Sequence, residues 1–185
     1  MQAYTELKKI KRLWDSWKKE KHIKQLVRNG LQLGKDVQFI DNYFIDPSHC
    51  FLISIGDNCT ICPNVRLIAH DASTKKALGY TKIGKITIRE NCFIGDSVIV
   101  LPNVTIGPNS IIGAGTVVTR DIPEGVVAAG NPARVLLTIK EYLEKISKAA
   151  GTKRIFDETY LIGNLTEEKR KEVLNMVEDS IGFIV

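Results

Sequence analysis

Long apolar runs are missing from the 185 residues: nothing approaches the about 20 consecutive apolar residues of a membrane-spanning helix. The opening stretch, MQAYTELKKIKRLWDSWKKEKH, also lacks the unbroken apolar core of a secretory signal, so a cytoplasmic location is expected. GxSxG, GxxxxGKS/T and GxGxxG are absent, which argues against nucleophile-elbow hydrolases, P-loop nucleotidases and dinucleotide-binding folds. Histidine is scarce, with only His22, His49 and His70. Cysteine is limited to Cys50, Cys59, Cys62 and Cys92. The single CxxC has neither a second CxxC nor a nearby histidine pair to complete a tetrahedral set, so no metal site is expected. Cys59 and Cys92 instead read as small buried hydrophobes. An overall charge excess is lacking outside the first 30 residues, where nine Lys or Arg face three acids; the remainder holds 17 basic and 18 acidic residues. With no nucleic-acid motif present, no nucleic-acid partner is expected.

What the chain does have is a period of six. Ile88, Ile94, Val100, Ile106, Ile112 and Val118 recur at that interval, each followed four places later by a mostly small or β-branched residue: Cys92, Val98, Val104, Ser110, Thr116 and Ile122. Glycine directly follows three of the aliphatics, as Gly95, Gly107 and Gly113, where a tight corner gains from the lack of a Cβ. A helix needs a period near 3.6 and an ordinary strand a period of 2, whereas six fits a hexapeptide-repeat parallel β-helix in which each aliphatic plugs the interior. The register is already present at Leu33, Phe39 and Ile45 and resumes after a slip at Ile55, Ile61 and Leu67. It then breaks between Leu67 and Ile88, leaving a loop over residues 72–82 with His70 at its entrance.

Around this all-β core, which spans residues 31–137, helical extensions are expected at both ends. Residues 1–30 form a basic amphipathic segment, with Leu7, Ile10, Trp14 and Trp17 on one face of a helix over residues 3–28. That helix either caps the first coil or packs on a neighbouring subunit; the competing reading is peripheral membrane contact. In residues 138–185, Thr138 and Glu141 form a capping box for a helix through Ala149 that Gly151 stops, and Thr166 starts another running to Ser180.

A repeat interrupted once tends to carry function at the interruption. His70 is the candidate catalytic base, because imidazole titrates near neutrality and can take a proton from an attacking hydroxyl. Asp71 adjoins it but points the other way in an extended segment, so it orients the loop or lies inward. His22 reads as a solvated helix residue. His49 falls at a nominally inward fifth position near the slip, where a structural role is as well supported as a functional one.

The stretch from Ile55 through His70 and Asp71, together with the GAGTVVTRDIP and AAGNPARV ending, resembles the hexapeptide-repeat acyltransferases, in particular the maltose and galactoside O-acetyltransferases and their polysaccharide-modifying relatives. The resemblance implies a left-handed coil, an exception to the usual right-handed crossover. It also implies a homotrimer with sites between subunits, acetyl-CoA as donor, and direct transfer to a sugar or glycan hydroxyl with His70 as base. Asn42 matches the acceptor-contacting asparagine of the sugar enzymes and is, with Asp71, a candidate substrate-binding residue. Cys50 stands where galactoside enzymes carry an acidic acceptor ligand, a departure that bears on acceptor preference. Gly95, Ala114 and Thr119 match positions lining the pantetheine groove, and Arg120 and Arg134 match basic residues near the nucleotide phosphates. Serine and antibiotic acetyltransferases are rival readings, and a non-catalytic scaffold is another. A zinc carbonic anhydrase on the same coil is disfavoured, because His22 lies outside the repeat.

Overall fold

The structure is a computed structural model that describes residues 17–151, 155–178 and 181–185. The expected helix face at Leu7, Ile10 and Trp14 lies outside the described residues. Residues 17–28 are helical and form α1. The first coil follows as β1 (Gln32–Leu33), β2 (Gln38–Phe39) and β3 (Phe44–Ile45). A 3-10 turn over Cys50–Leu52 fills the register slip, and the second coil is β4 (Ile53–Ile55), β5 (Thr60–Ile61) and β6 (Arg66–Leu67). The interruption consists of β7 (His70–Asp71), α2 (Lys75–Leu78) and β8 (Lys82–Ile83). Stacking resumes with β9 (Ile86–Ile88), β10 (Phe93–Ile94) and β11 (Ile99–Val100), then β12 (Val104–Ile106), β13 (Ile111–Ile112) and β14 (Val117–Val118). The antiparallel pair β15 (Val126–Ala129) and β16 (Arg134–Thr138) ends the stack.

Successive strands visit three sheets in rotation. The first holds β1-β4-β9-β12, the second β2-β5-β10-β13-β15-β16 and the third β3-β6-β11-β14. Pairing is parallel throughout, apart from β16 and the β7–β8 hairpin, and equivalent plugs stack in register, as in Phe39–Ile61–Ile94–Ile112. The plugs from Ile45 onward are buried, as are all six followers, while Leu33 and Phe39 in the first coil are half-buried. The two buried hydroxyls among the followers are satisfied: Ser110 Oγ donates to Pro123 O at 2.9 Å and Thr116 Oγ1 to Gly113 O at 2.6 Å. Ile94 is 0% exposed between two identical plugs. Ile94→Ala should therefore cost about 2–5 kcal/mol of stability, measurable as a lower urea midpoint; a loss under about 1 kcal/mol would mean the coil collapses around the gap.

The corners refine the reading of glycine. The left-handed position of each turn lies three residues after the plug and is held mainly by asparagine, at Asn58, Asn91, Asn103 and Asn109 among others, all with positive φ. Three of these form a ladder, Asn58 Nδ2 donating to Asn91 Oδ1 at 2.9 Å and Asn91 Nδ2 to Asn109 Oδ1 at 3.0 Å. The glycine after the plug serves close approach instead: a Cβ on Gly95 would stand 2.7 Å from Ile112 O, and one on Gly107 would stand 2.5 Å from Glu124 N.

Cys59 and Cys92 point inward as expected, Sγ donating to Arg89 O and Gly107 O respectively, while Cys62 is half-buried and all four cysteines are free. The α1 helix lays Leu26 into the core beside Leu31 and ties its Lys19 to Asp41 at 2.7 Å. Trp17 on this helix is exposed. Among the described residues no helix is long and apolar enough to cross a membrane.

The chain divides into two compact units, residues 1–139 and 140–185. The second holds α3 (Ile139–Gly151) but for its first residue, then β17 (Ile155–Phe156), α4 (Glu167–Met176) and β18 (Phe183–Ile184), with β17 and β18 paired in parallel. Thr166 caps α4 by accepting from Lys169 N–H at 3.3 Å. Gly151 is the last helical residue of α3 rather than the one beyond it, and α4 stops at Met176 rather than reaching Ser180.

Candidate active site

The corner leading out of the third sheet gathers the polar chemistry. In the first coil Asp46 follows the plug Ile45, and its backbone N–H donates to Leu67 O at 3.0 Å, which fixes it beneath the segment carrying His70. In the second coil that segment runs from Leu67 through buried Ala69 into β7. Antiparallel pairing of His70 with Ile83 and Asp71 with Lys82 pins the histidine at the root of the hairpin. Its side chain keeps about a third of its surface open, 35%.

Asp46 is 0% exposed, and its Oδ2 hydrogen-bonds His70 Nδ1. Its Oδ1 accepts from the backbone N–H groups of Ser48 at 3.1 Å and His49 at 3.3 Å. Burial works to raise the Asp46 pKa, but the His70 hydrogen bond, the Ser48 N–H and the charges of His70 and His49 outweigh it. The carboxyl ends below the ordinary aspartate value. An ionised carboxylate only accepts, so the neutral form of His70 that fits this contact carries its proton on Nδ1 and leaves the Nε2 lone pair for an acceptor. That is the state a general base requires.

Asp46 was not among the residues singled out from the sequence. The available signal was its place directly after a plug, one coil before His70, in a position where Gly56, Gly95, Gly107 and Gly113 stand elsewhere. His49 also differs from expectation. The 3-10 turn moves the inward position to Cys50, which is buried, so His49 stays half-buried with its ring 4.9 Å from that of His70. Its Nδ1 lies 3.6 Å from Asp46 Oδ2, is screened from solvent and has no hydrogen-bond partner.

Asp71 holds the loop. Its carboxylate pairs with Lys82 Nζ at 2.6 Å and accepts from Ser73 N–H at 2.8 Å, contacts that keep it well below the usual carboxylate range. Asn42 is exposed at a positive-φ corner of the first coil. Of the donor-side residues, Gly95 and Ala114 stack in adjacent coils at the corner leaving the second sheet. Thr119 and Arg120 are exposed at the corner leaving the third sheet, the same edge as His70 and about 10 Å further along it by strand spacing. Arg134 begins β16, paired with Ala129, and is exposed. One chain thus spreads the residues expected on the donor side over two edges.

The family described as "Bacterial transferase hexapeptide (six repeats)" matches residues 85–120. The galactoside O-acetyltransferase of Escherichia coli strain K12 is 40% identical over 118 residues, which are 61% of this chain and 56% of that protein. The structure of a maltose O-acetyltransferase from Clostridium difficile 630 shares 31% identity with a TM-score of 0.53, over 71% of this chain and 83% of that one. A hexapeptide-repeat acetyltransferase from Vibrio cholerae, solved in complex with acetyl coenzyme A, shares 27% identity with a TM-score of 0.53, over 59% and 60% of the two chains. The chain spans 56% and 59% of the length of two of the curated relatives it matches.

Proposed function

Because the chain belongs to the bacterial hexapeptide transferase family, we propose that it is an acetyl-CoA-dependent O-acetyltransferase acting on a sugar or glycan hydroxyl. The observation that carries the reading is the pairing of His70 with buried Asp46 at the root of the hairpin that interrupts the repeat. In this mechanism His70 Nε2 takes the acceptor hydroxyl proton as the oxygen attacks the thioester carbonyl. Asp46 stabilises the imidazolium that forms, and the proton then passes to the departing CoA thiolate. Backbone N–H groups near the corner supply the oxyanion contacts. No covalent enzyme intermediate is required, and no step needs a metal.

The coil is left-handed in this reading and assembles as a trimer. The distribution of donor residues supports that assembly, since Gly95 and Ala114 lie on one edge and His70, Thr119 and Arg120 on another, so a site shared by two subunits can use both. Arg120 and Arg134 hold the CoA phosphates, a task suited to the guanidinium fork. Asn42 contacts the acceptor, and Asp71 acts on it through the loop it orients. A cytoplasmic site of action on a polysaccharide precursor completes the proposal, and the Vibrio complex with acetyl coenzyme A supports the donor.

Thiol release from acetyl-CoA across free sugars, nucleotide sugars, polysaccharide fragments, serine and aminosugars tests the acceptor class. Release dependent on a sugar hydroxyl is expected, and release only with serine or only with an aminosugar would overturn it. Arg134→Ala is expected to raise the KM for acetyl-CoA about tenfold while changing that for a dephospho-CoA thioester, which lacks only the 3′-phosphate, little; equal increases for both would remove Arg134 from the 3′-phosphate.

A further inference from the structure

A half-exposed histidine beside the reacting pair is left over by this mechanism. His49 Nδ1 is enclosed and without a hydrogen-bond partner, yet it faces the same Asp46 oxygen that binds His70. An enclosed polar atom without a partner costs free energy, and one explanation of such an atom is a bound ion. One ligand atom from each of Asp46, His49 and His70 lies within 4.8 Å of the others. Two imidazoles and one carboxylate are a ligand set that suits zinc and leaves a fourth position open. Tetrahedral bonds of about 2.0–2.1 Å put ligand atoms roughly 3.3 Å apart. The 3.6 Å between His49 Nδ1 and Asp46 Oδ2 is already near that spacing. The closer contact of Asp46 with His70 has to open, and the atom displaced from it is a proton; the two histidine ligand atoms already lie within 4.8 Å of each other. The partly open faces of both histidines give a cation access.

We propose that Asp46, His49 and His70 together bind a divalent cation of the zinc class, and that the bound cation withdraws His70 from use as a base. The second half rests on the proposed role of His70. A cation on Nδ1 of neutral His70 forces the single ring proton to relocate through solvent to Nε2. No net proton is lost, but the lone pair that would accept the hydroxyl proton is gone. The cation is therefore an antagonist of transfer, and its release restores the base.

The test uses the full chain stripped with a chelator and titrated with Co2+, followed by its visible absorption, and with Zn2+ by calorimetry. Wild type, His49→Ala, His49→Gln and Cys62→Ser are compared, with circular dichroism to establish that each variant is folded. One equivalent per chain with a tetrahedral Co2+ spectrum is expected for wild type and Cys62→Ser. Both His49 variants should bind at least about tenfold more weakly, and Zn2+ should raise the Tm of wild type but not of these variants. Absence of binding to wild type, undiminished binding to folded His49 variants, or loss of binding in Cys62→Ser would each overturn the cation site. In a parallel thiol-release assay, Zn2+ should inhibit wild type and spare residual turnover in His49→Gln. Stoichiometric binding without inhibition would leave the site standing and remove His70 as the base, so the two failures are distinguishable.

Discussion

Replacing His70 by alanine is expected to lower kcat by about a hundred- to ten-thousand-fold, the range that a positioned general base contributes. The loss should fall on kcat rather than on the KM for acetyl-CoA, because the residues assigned to the donor lie in later coils than His70. The fold should survive. His70 is part-exposed at the root of a hairpin, while the plugs stacked above and below are contributed by other residues. Steady-state kinetics with a thermal melt checks both halves, and turnover within a few-fold of wild type would end the assignment.

Asp46→Asn is the companion experiment, with an expected loss in kcat of up to about ten-thousand-fold. Asparagine fits the same space but can present an N–H to His70 Nδ1, which would favour the proton on Nε2 and leave no lone pair for the acceptor. Stability should respond with a definite sign. The Asp46 carboxyl titrates below its unfolded value, so its contribution is complete above an unfolded pKa of about 3.9 and is lost as pH falls through the lower folded value. Wild type should therefore lose stability below about pH 4 more steeply than Asp46→Asn. Parallel acid profiles would mean that the Asp46–His70 contact contributes little to folding.

The plug register was legible because it is local: an aliphatic every six residues needs only the chain's own periodicity, and Ile88 to Val118 are buried as that spacing demands. The helix before the first coil was less so: Leu7, Ile10 and Trp14 lie outside the described residues, Trp17 is exposed, and the side chain that reaches the core is Leu26. Asp46 was not, because its contact with His70 spans 24 residues and depends on how one coil stacks across a slip that no repeat predicts. The same slip hid the place of His49. Extending the hexapeptide count through the 3-10 turn puts His49 inside, whereas the turn gives that place to Cys50. Asparagine in the left-handed corner position was visible at multiples of six in Asn91, Asn103 and Asn109, with Ser97 between the first two. Gly95 and Gly107 are required by the backbone of the next coil.

The most direct test of the central claim is a rapid-quench experiment with acetyl-CoA labelled in the acetyl group, a glycan acceptor, and either wild type or His70→Gln. The label is expected to pass from CoA to the glycan as a hydroxylamine-labile ester within one turnover, without appearing on the protein, and to remain on CoA with the variant. Label captured covalently by the protein, label in an alkali-stable amide, or equal transfer by His70→Gln would contradict it.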